Sequence, residues 1–266
     1  MMVVSEIKAD NVLICSDLHL CPENLPITNF FCKWVLTQCD NKNINNRPEW
    51  LLILGDLFDH WIGDDLINSN KRNTFETIIY KLEKCFLTLK SLNISVGIMH
   101  GNRDFLMGDL LLGHLHAKQL DNLVKLKSPD NSSDILLVHG DELCTDDTQH
   151  QSFRKLVKTS YWQEQFKSKP IDVRQKIAKS LRTQSETKKT TKSMKIMDVN
   201  TNSADIFLAQ NNANVLIHGH THLPGKNILP SGKCRWVIPN WTVNNCGKVI
   251  GGAIKVEKNK ISQIST

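Results

Sequence analysis

Short apolar runs divide the chain at regular intervals, and most of them end at a glycine, an aspartate or a histidine. They lie near residues 11–16, 50–55, 94–99, 120–126, 135–140 and 214–218. Runs of this length, rich in Val, Ile and Leu, are typical of buried strands. Helical patterns fall between them, near residues 28–39, 74–91, 105–115 and 200–211. The pattern predicts strands that alternate with helices.

The end of the chain has a different pattern. Three apolar runs at 235–239, 248–256 and 261–264 follow one another with no helical stretch between them. Strands that alternate with helices, followed by closely spaced strands, indicate an α/β fold with two sheets packed face to face and helices outside.

Five of the predicted strands are each followed by residues whose side chains can bind a metal ion. They are Asp17, His19, Asp56, Asn102, His139, His220 and His222. Any one such block is more often a turn or a packed histidine. Five in succession, each at the carboxyl end of a strand, favour a metal site at one rim of the fold.

Seven donors are too many for one tetrahedral ion, so we predict two six-coordinate ions with Asp56 as the bridging carboxylate. Two ions about 3.5 to 4 Å apart can hold both the attacking and the leaving oxygen of a displacement at phosphorus. Carboxylate, amide and imidazole donors without a thiolate favour Mn²⁺ or a similar ion over structural zinc.

The order Asp-x-His, Gly-Asp-x-x-Asp, Gly-Asn-x-Asp, His-Gly and Gly-His-x-His resembles that of the calcineurin-like metallophosphoesterases. Longer strings, such as those at 16–21, 55–65, 100–105, 139–147 and 196–200, are similar to the subfamily that acts on UDP-2,3-diacylglucosamine in lipid A biosynthesis of Gram-negative bacteria. The resemblance covers about residues 11–223. It implies a four-layer αββα metallophosphoesterase sandwich with two Mn²⁺ per subunit. It also implies hydrolysis of the pyrophosphate bond by a metal-activated water, giving UMP and 2,3-diacylglucosamine 1-phosphate (lipid X).

Arg103 separates this subfamily from most calcineurin-like enzymes, which carry His after the Asn of the third block. A guanidinium does not give up a proton at neutral pH. We therefore predict that Arg103 clamps phosphate oxygens and, with His220, offsets the charge of the transition state. The alternative for Arg103 is a salt bridge with Asp104.

A basic segment lies between the fourth and fifth blocks. Residues 151–200 contain 13 Lys and Arg against 4 Asp and Glu, a local balance of +9 in a chain whose net charge is +6. We predict one domain over 1–266 with an inserted basic helical lid at about 150–200, built from 153–166, a helix near 171–183 and a polar loop at 184–193. A basic, partly apolar lid beside a metal site suits an anionic amphiphile.

The resemblance implies that this lid receives the acyl chains of the substrate. The positions that match the substrate contacts of the subfamily are Asn102, Arg103, Asp147, Ser185, Lys189, Lys192 and His220. Lys189 departs from the smaller polar residue expected there. We assign His60 and His150 to the surface or to packing, and Asp59, Asp64 and Asp65 to structural support.

Composition limits the other classes of function. Eight cysteines form no Cys-x-x-Cys pair, the start lacks a secretion signal, and no apolar run is long enough to span a membrane. We predict a reduced cytoplasmic protein, held peripherally at the inner membrane. The basic segment has no aromatic platform or Gly-rich phosphate loop, which argues against nucleic acid as a partner. Another two-metal phosphoesterase and a non-catalytic scaffold remain alternatives.

Overall fold

Two six-stranded sheets form the centre of the fold. The computed structural model describes residues 5–40, 46–68, 75–127, 134–191, 194–258 and 260–266. Its strands are β1 (Ser5–Lys8), β2 (Asn11–Cys15), β3 (Trp50–Leu54), β4 (Ser95–Met99), β5 (Lys118–Leu120), β6 (Val124–Lys127), β7 (Asp134–Leu137), β8 (Val215–His218), β9 (Gly225–Ile228), β10 (Cys234–Val237), β11 (Thr242–Val243), β12 (Val249–Ile250), β13 (Gly252–Glu257) and β14 (Lys260–Ser265). The strand orders are β1-β6-β7-β8-β10-β9 and β14-β13-β2-β3-β4-β5.

Successive side chains of the central strands pack alternately into two different hydrophobic cores. Val12 and Ile14 of β2 pack between the two sheets, with apolar residues of both. Leu13 and Cys15 point the other way, toward the helices. The two-residue period of a strand explains this division, and a continuous apolar run is needed because both faces are buried.

Helices cover the outer faces of the sheets. They are α1 (Leu25–Cys39), α2 (Glu76–Ser91), α3 (Asp109–His114), α4 (Thr148–Val157), α5 (Ser160–Lys167), α6 (Ile171–Thr191), α7 (Met194–Met197) and α8 (Thr201–Gln210). Residues of α1 and α2 pack on the sheet that contains β2, whereas α8 packs on the sheet that contains β8. The predicted αββα sandwich is confirmed. None of the helices in the described ranges is long and apolar enough to cross a membrane.

Two predicted strands are wrong, because each is two strands. In the run 120–126, Leu120 is the last residue of β5 and Val124 is the first residue of β6. These strands belong to different sheets, so the chain crosses between the sheets near Asp121. The run 248–256 divides at Gly251 into β12 and β13. A Cβ at Gly251 would lie 2.4 Å from the Trp241 ring, which shows how closely the backbone turns there.

Other boundaries also differ from the prediction. The helix expected over 105–115 begins only at Asp109, because Gly108 is extended with φ −131° and ψ −172°. Strands β1 and β9 were not predicted, since four-residue strands with polar side chains give little periodic signal.

We call helices α4 to α7, residues 148–191 and 194–197, the helical insertion. The polar loop predicted at 184–193 is wrong as far as Thr191, because α6 continues to that residue. No Gly or Pro interrupts 171–191, and Lys, Gln and Glu are good helix formers. Lys192 and Ser193 lie outside the described residues.

Three arginines join the helical insertion to carboxylates of the sandwich. The pairs are Arg154 with Asp141, Arg174 with Asp65 and Arg182 with Asp59. Arg174 is buried and also donates to the Ile62 carbonyl at 2.6 Å. The positive charge predicted for this segment therefore helps to attach it to the sandwich.

Candidate metal centre

Backbone hydrogen bonds align the loops that carry the predicted donors. The Asp17 N–H donates to the Gly55 carbonyl at 3.2 Å, and the His19 N–H donates to the Asp56 carbonyl at 3.0 Å. These bonds continue the parallel pairing of β2 and β3 beyond the strands. The Gly219 N–H likewise donates to the His139 carbonyl at 2.9 Å. Ladder bonds therefore carry the donor side chains to one rim.

Three of the predicted donors form a first cluster. Nε2 of His19 lies 3.3 Å from Nε2 of His222, and this His222 atom lies 3.4 Å from Oδ1 of Asp17. That Asp17 oxygen is buried without a hydrogen-bond partner. A buried unpaired carboxylate oxygen beside two facing imidazole nitrogens fits a cation held between the three side chains.

The other four donors form a second cluster. Oδ1 of Asn102 lies 3.1 Å from Nε2 of His139 and 3.0 Å from Nδ1 of His220. Oδ1 of Asp56 lies 3.7 Å from the same His139 nitrogen. The structure thus brings all seven predicted metal donors together in two adjoining groups.

Asp56 lies between the two clusters. While its Oδ1 faces His139, its Oδ2 is 3.9 Å from Nε2 of His19 in the first cluster. A carboxylate that offers one oxygen to each cluster has the position that a bridging ligand requires.

Backbone conformation also marks this rim. Five of the seven donors have φ between 48° and 63°, in the left-handed region: Asp17, His19, Asp56, His220 and His222. This region is unfavourable for residues with a Cβ, and strain of this kind concentrates at functional sites. The surrounding structure therefore holds these side chains in place against a local cost.

Two glycines allow the loops to approach the carboxylates closely. A Cβ at Gly101 would lie 2.1 Å from Oδ1 of Asp56, and a Cβ at Gly219 would lie 2.2 Å from Oδ2 of Asp17. Any larger residue at either position would displace a candidate ligand.

Groups behind the donors fix their orientation. Nδ1 of His139 donates to the Leu54 carbonyl at 2.8 Å, which directs Nε2 toward the centre. The buried Asp104 carboxylate accepts from the Gly101 N–H at 2.8 Å and the Phe58 N–H at 3.3 Å. Asp104 thereby holds the loop that carries Asn102 and Arg103.

Burial and the charges of neighbouring groups together set the pKa values at the site. Burial raises the pKa of Asp56, and the neighbouring Asp17 carboxylate adds to this effect. It lowers the pKa of His19 to about 3. Burial opposes protonation of His139 as well, but Asp56 and Asp17 outweigh it and raise the pKa of His139 to about 9. The carboxylates therefore favour positive charge at the centre, which a divalent cation would supply.

The predicted substrate contacts are only partly gathered at the same place. A cavity of about 510 Å³ opens beside the donors, and Asn102, Arg103, Asp147, Ser185 and His220 line it. Nε of Arg103 is 3.9 Å from Oδ2 of Asp56. Lys189 belongs to α6, but nothing is described of its side chain, and Lys192 lies outside the described residues.

His150, which we assigned to packing or the surface, lines the cavity with its ring centroid 5.3 Å from that of His220. His60, assigned in the same way, also lines the cavity. Asp147 explains the position of His150, because this residue caps α4 and accepts from the His150 N–H at 3.0 Å. The cap followed three residues later by histidine was the signal available in the sequence.

Asp64 has the structural role predicted for the acidic cluster after β3. It accepts from the N–H groups of Gly108 at 3.0 Å and Leu111 at 2.9 Å, at the start of α3. Asp65 and Asp59 pair with the helical insertion. Asp59 also lines the cavity, and its Oδ1 lies 3.9 Å from Nδ1 of His19.

Comparison with known proteins agrees with the geometry of this rim. The family model of the calcineurin-like phosphoesterases matches residues 11–224, from the first strand before the donors to just beyond His222. The chain therefore belongs to the calcineurin-like phosphoesterase family, and a divalent metal is the cofactor that its fold and donor set support.

Two curated relatives within this family are similar to the chain over most of its length. The chain is 34% identical over 249 residues to the UDP-2,3-diacylglucosamine hydrolase of Bordetella pertussis, covering 92% of this chain and 91% of that protein. It is 37% identical over 231 residues to the enzyme of the same name from Histophilus somni, covering 85% and 90%. A dimetal phosphatase structure from Danio rerio overlaps more loosely, with 11% identity, a TM-score of 0.43 and coverage of 96% and 98%.

Proposed function

We propose that the chain hydrolyses the pyrophosphate bond of UDP-2,3-diacylglucosamine in lipid A biosynthesis, releasing UMP and 2,3-diacylglucosamine 1-phosphate. The names of the curated relatives specify this nucleotide lipid. The observation that carries the proposal is the 510 Å³ cavity, which joins the candidate metal donors to the helical insertion. A pocket of this size suits part of a large ligand.

Cationic and apolar side chains both line the cavity, as an anionic amphiphile requires. Arg103, Arg154, Lys158 and Arg182 contribute to its lining. Apolar side chains include Trp162 and Phe166, whose rings stack at 4.9 Å, and Phe105, whose ring centroid lies 6.0 Å from that of Trp162. We assign the pyrophosphate to the cationic side chains and an acyl chain to the aromatic side chains.

Residues of the chain position and neutralise the pyrophosphate. Arg103 would clamp its oxygens with a planar guanidinium and offset charge that develops during displacement. His220 would contact the same group, since burial lowers its pKa and keeps it neutral. When bound, two divalent ions would polarise the phosphoryl oxygens and lower the pKa of a water molecule.

We propose Mn²⁺ as the native ion and Asp17, His19, Asp56, Asn102, His139, His220 and His222 as its ligands. Oxygen and imidazole donors without a thiolate support this choice. Asp147 and Ser185 are proposed to bind the glucosamine part of the substrate, because both are polar and line the cavity. We propose Lys189 and Lys192, from the same basic segment, as further substrate contacts.

We also propose that the protein binds peripherally to the cytoplasmic face of the inner membrane. Leu156 and Tyr161 of the helical insertion are exposed by 53% and 73%, and basic residues surround them in the sequence. Apolar side chains within a basic surface favour an anionic leaflet. Binding to vesicles with anionic lipids should fall as salt rises, because exposed charges are screened.

The experiment that tests the proposed reaction is UMP release by metal-stripped protein, with and without added Mn²⁺. A generic nitrophenyl phosphodiester serves as the second substrate. Release from the lipid nucleotide that depends on Mn²⁺ supports the proposal. Turnover of the generic ester alone would indicate a different phosphoesterase, and no turnover of either would indicate a scaffold.

Adjacent aromatic residues of α5 provide matched variants. Trp162 lines the cavity, whereas Tyr161 points outward. Trp162→Ala should reduce turnover of the lipid nucleotide and leave the generic ester unaffected, while Tyr161→Ala in detergent solution should affect neither. Equal effects of the two variants would contradict the placement of the acyl chain.

A further inference from the structure

A second cavity, of about 340 Å³, lies between α1 and α2 and contains two cysteines, Cys32 and Cys85. Its other lining residues are Asn29, Leu36, Tyr80, Lys81, Lys84 and Thr88. None of these residues lines the cavity beside the candidate metal centre. The two cysteines therefore belong to a separate part of the molecule, which the proposed hydrolysis does not use.

Each of the two thiols contacts the backbone of the other helix. Sγ of Cys85 donates to the Cys32 carbonyl at 3.8 Å, and Sγ of Cys32 donates to the Lys81 carbonyl at 3.7 Å. A sulfur this close to the backbone of the other cysteine is compatible with the short Cα separation that a disulfide requires.

The pair is asymmetric in exposure and acidity. Cys32 is half-buried and faces the cavity, whereas Cys85 is only 3% exposed. The neighbouring Cys85 thiol lowers the pKa of the Cys32 thiol, and the charge of Lys81 contributes to this shift. The neighbouring Cys32, together with burial, raises the pKa of Cys85. Because the reactive thiolate must also reach its reagent, the more exposed Cys32 is the nucleophile of the pair.

Positive charge at the cavity favours an anionic reagent. Lys81 and Lys84 both line it, and Nζ of Lys84 lies 4.7 Å above the centre of the Tyr80 ring. Glutathione disulfide carries carboxylates that these ammonium groups can attract, and its central bond can be reached only by an exposed sulfur.

We propose that Cys32 and Cys85 form a thiol–disulfide exchange site that accepts a small anionic disulfide of the glutathione type. The Cys32 thiolate attacks one sulfur of glutathione disulfide, which forms a mixed disulfide and releases one glutathione thiolate. The Cys85 thiol, on losing its proton, then attacks Cys32 Sγ and displaces the second glutathione. Two protein thiols are oxidised, one glutathione disulfide is reduced, and the two protons leave on two glutathione thiols.

The resulting bond would join α1 to α2 through residues 53 positions apart in the sequence. It would fix the two helices that pack against the sheet containing β2 and β3. This modification adds a redox-dependent cross-link remote from the candidate metal donors.

The test uses the full natural chain, incubated with glutathione disulfide, alkylated and mapped by peptide mass spectrometry. We expect a Cys32–Cys85 cross-linked peptide that a dithiol reductant removes. In Cys85→Ser the reaction should stop at one glutathione on Cys32, and in Cys32→Ser residue Cys85 should stay unmodified in the folded protein. Cys246→Ser, which removes an exposed thiol, should leave the yield of cross-link unchanged.

Three results would overturn the proposal. The first is an unmodified Cys32 in the natural chain under conditions that modify the exposed Cys246. The second is a cross-link of Cys85 to Cys39 in place of Cys32. The third is equal reaction of Cys85 in the presence and absence of Cys32, which would show that the asymmetry of the pair does not exist. Circular dichroism of each variant confirms that it is folded.

Discussion

Different interactions hold the candidate metal centre and the helical insertion in place. At the centre, buried strands end in donor residues, ladder bonds align the loops, and glycines bring backbone against carboxylates. The helical insertion has few buried side chains on α4 and α5, namely Val157 and Phe166. It is joined to the sandwich by three arginine–carboxylate pairs and by partly buried apolar side chains of α5 and α6. The contrast agrees with our proposal that the sandwich holds the metal ions and the helical insertion binds the substrate.

The largest expected effect is at the carboxylate between the two donor clusters. Asp56→Ala should remove one or both ions and reduce turnover by roughly a thousandfold or more. Metal content by mass spectrometry and steady-state rates measure both effects. Asp40→Ala removes an exposed carboxylate and should change neither. Two retained ions with natural turnover in Asp56→Ala would show that the bridge is wrongly assigned.

A pair of glycine variants tests how tightly the centre is built. Gly101→Ala would place a Cβ 2.1 Å from Oδ1 of Asp56, whereas a Cβ at Gly113 meets nothing within 4 Å. We expect Gly101→Ala to weaken metal affinity about 10- to 100-fold, as displaced supporting groups commonly do. Gly113→Ala should leave affinity unchanged and stabilise α3 by up to about 1 kcal/mol. Similar metal affinities in the two variants would contradict a preformed centre.

Arg103 lies between the candidate metal centre and the helical insertion, and Arg103→Lys distinguishes the effect of its positive charge from that of its planar guanidinium. The ammonium keeps the charge but loses the planar fork that binds phosphate in a bidentate manner. We expect turnover to fall roughly 10- to 100-fold while the metal content stays unchanged. A lysine variant with natural rates would show that Arg103 acts as a simple positive charge.

The attachment of the helical insertion should show a smaller effect, on stability. Arg174 has a side chain 2% exposed and Asp65 one that is 57% exposed. Asp65→Ala leaves a buried guanidinium without its carboxylate, so the free energy of unfolding should fall by about 1 to 2 kcal/mol. Arg174→Met removes the charge and keeps the apolar stem, so its loss should be smaller. The opposite order in a denaturant titration would contradict this explanation.

The smallest effect concerns acid pH. The hydrogen bond from Arg174 lowers the pKa of Asp65 below its ordinary value of 3.8. Because the pKa is lower in the folded state, the stabilisation is complete above about 3.8 and is lost as pH falls through the folded value. Amide exchange in α6, compared between the natural chain and Asp65→Asn, should converge at the lowest pH. A difference independent of pH would exclude this ion pair as the cause.

The same contrast explains what the sequence could predict. The donors at the rim were predictable because each follows an apolar run that is buried on both faces, so strand, strand end and donor are adjacent in the sequence. The division of 120–126 was not, because nothing local in Leu120 or Val124 indicates which sheet each joins. That choice depends on pairing with strands distant in the sequence.

In the helical insertion, composition was a poor guide to structure. The polar residues after Thr183 resemble a loop in hydropathy, yet α6 continues because helix propensity and the absence of breakers decide there. The position of His150 beside His220 could not be predicted either, because it depends on how the capped α4 packs in the folded chain. Charged residues such as Arg174 pair with carboxylates far away in the sequence, which a local pattern cannot reveal.

The most direct test of the metal centre is anomalous diffraction from crystals of the protein grown with Mn²⁺. The geometry predicts two anomalous peaks about 3.5 to 4 Å apart, one among Asp17, His19 and His222 and the other among Asn102, His139 and His220, with Asp56 contacting both. A single peak, or two peaks that Asp56 does not join, would contradict the account.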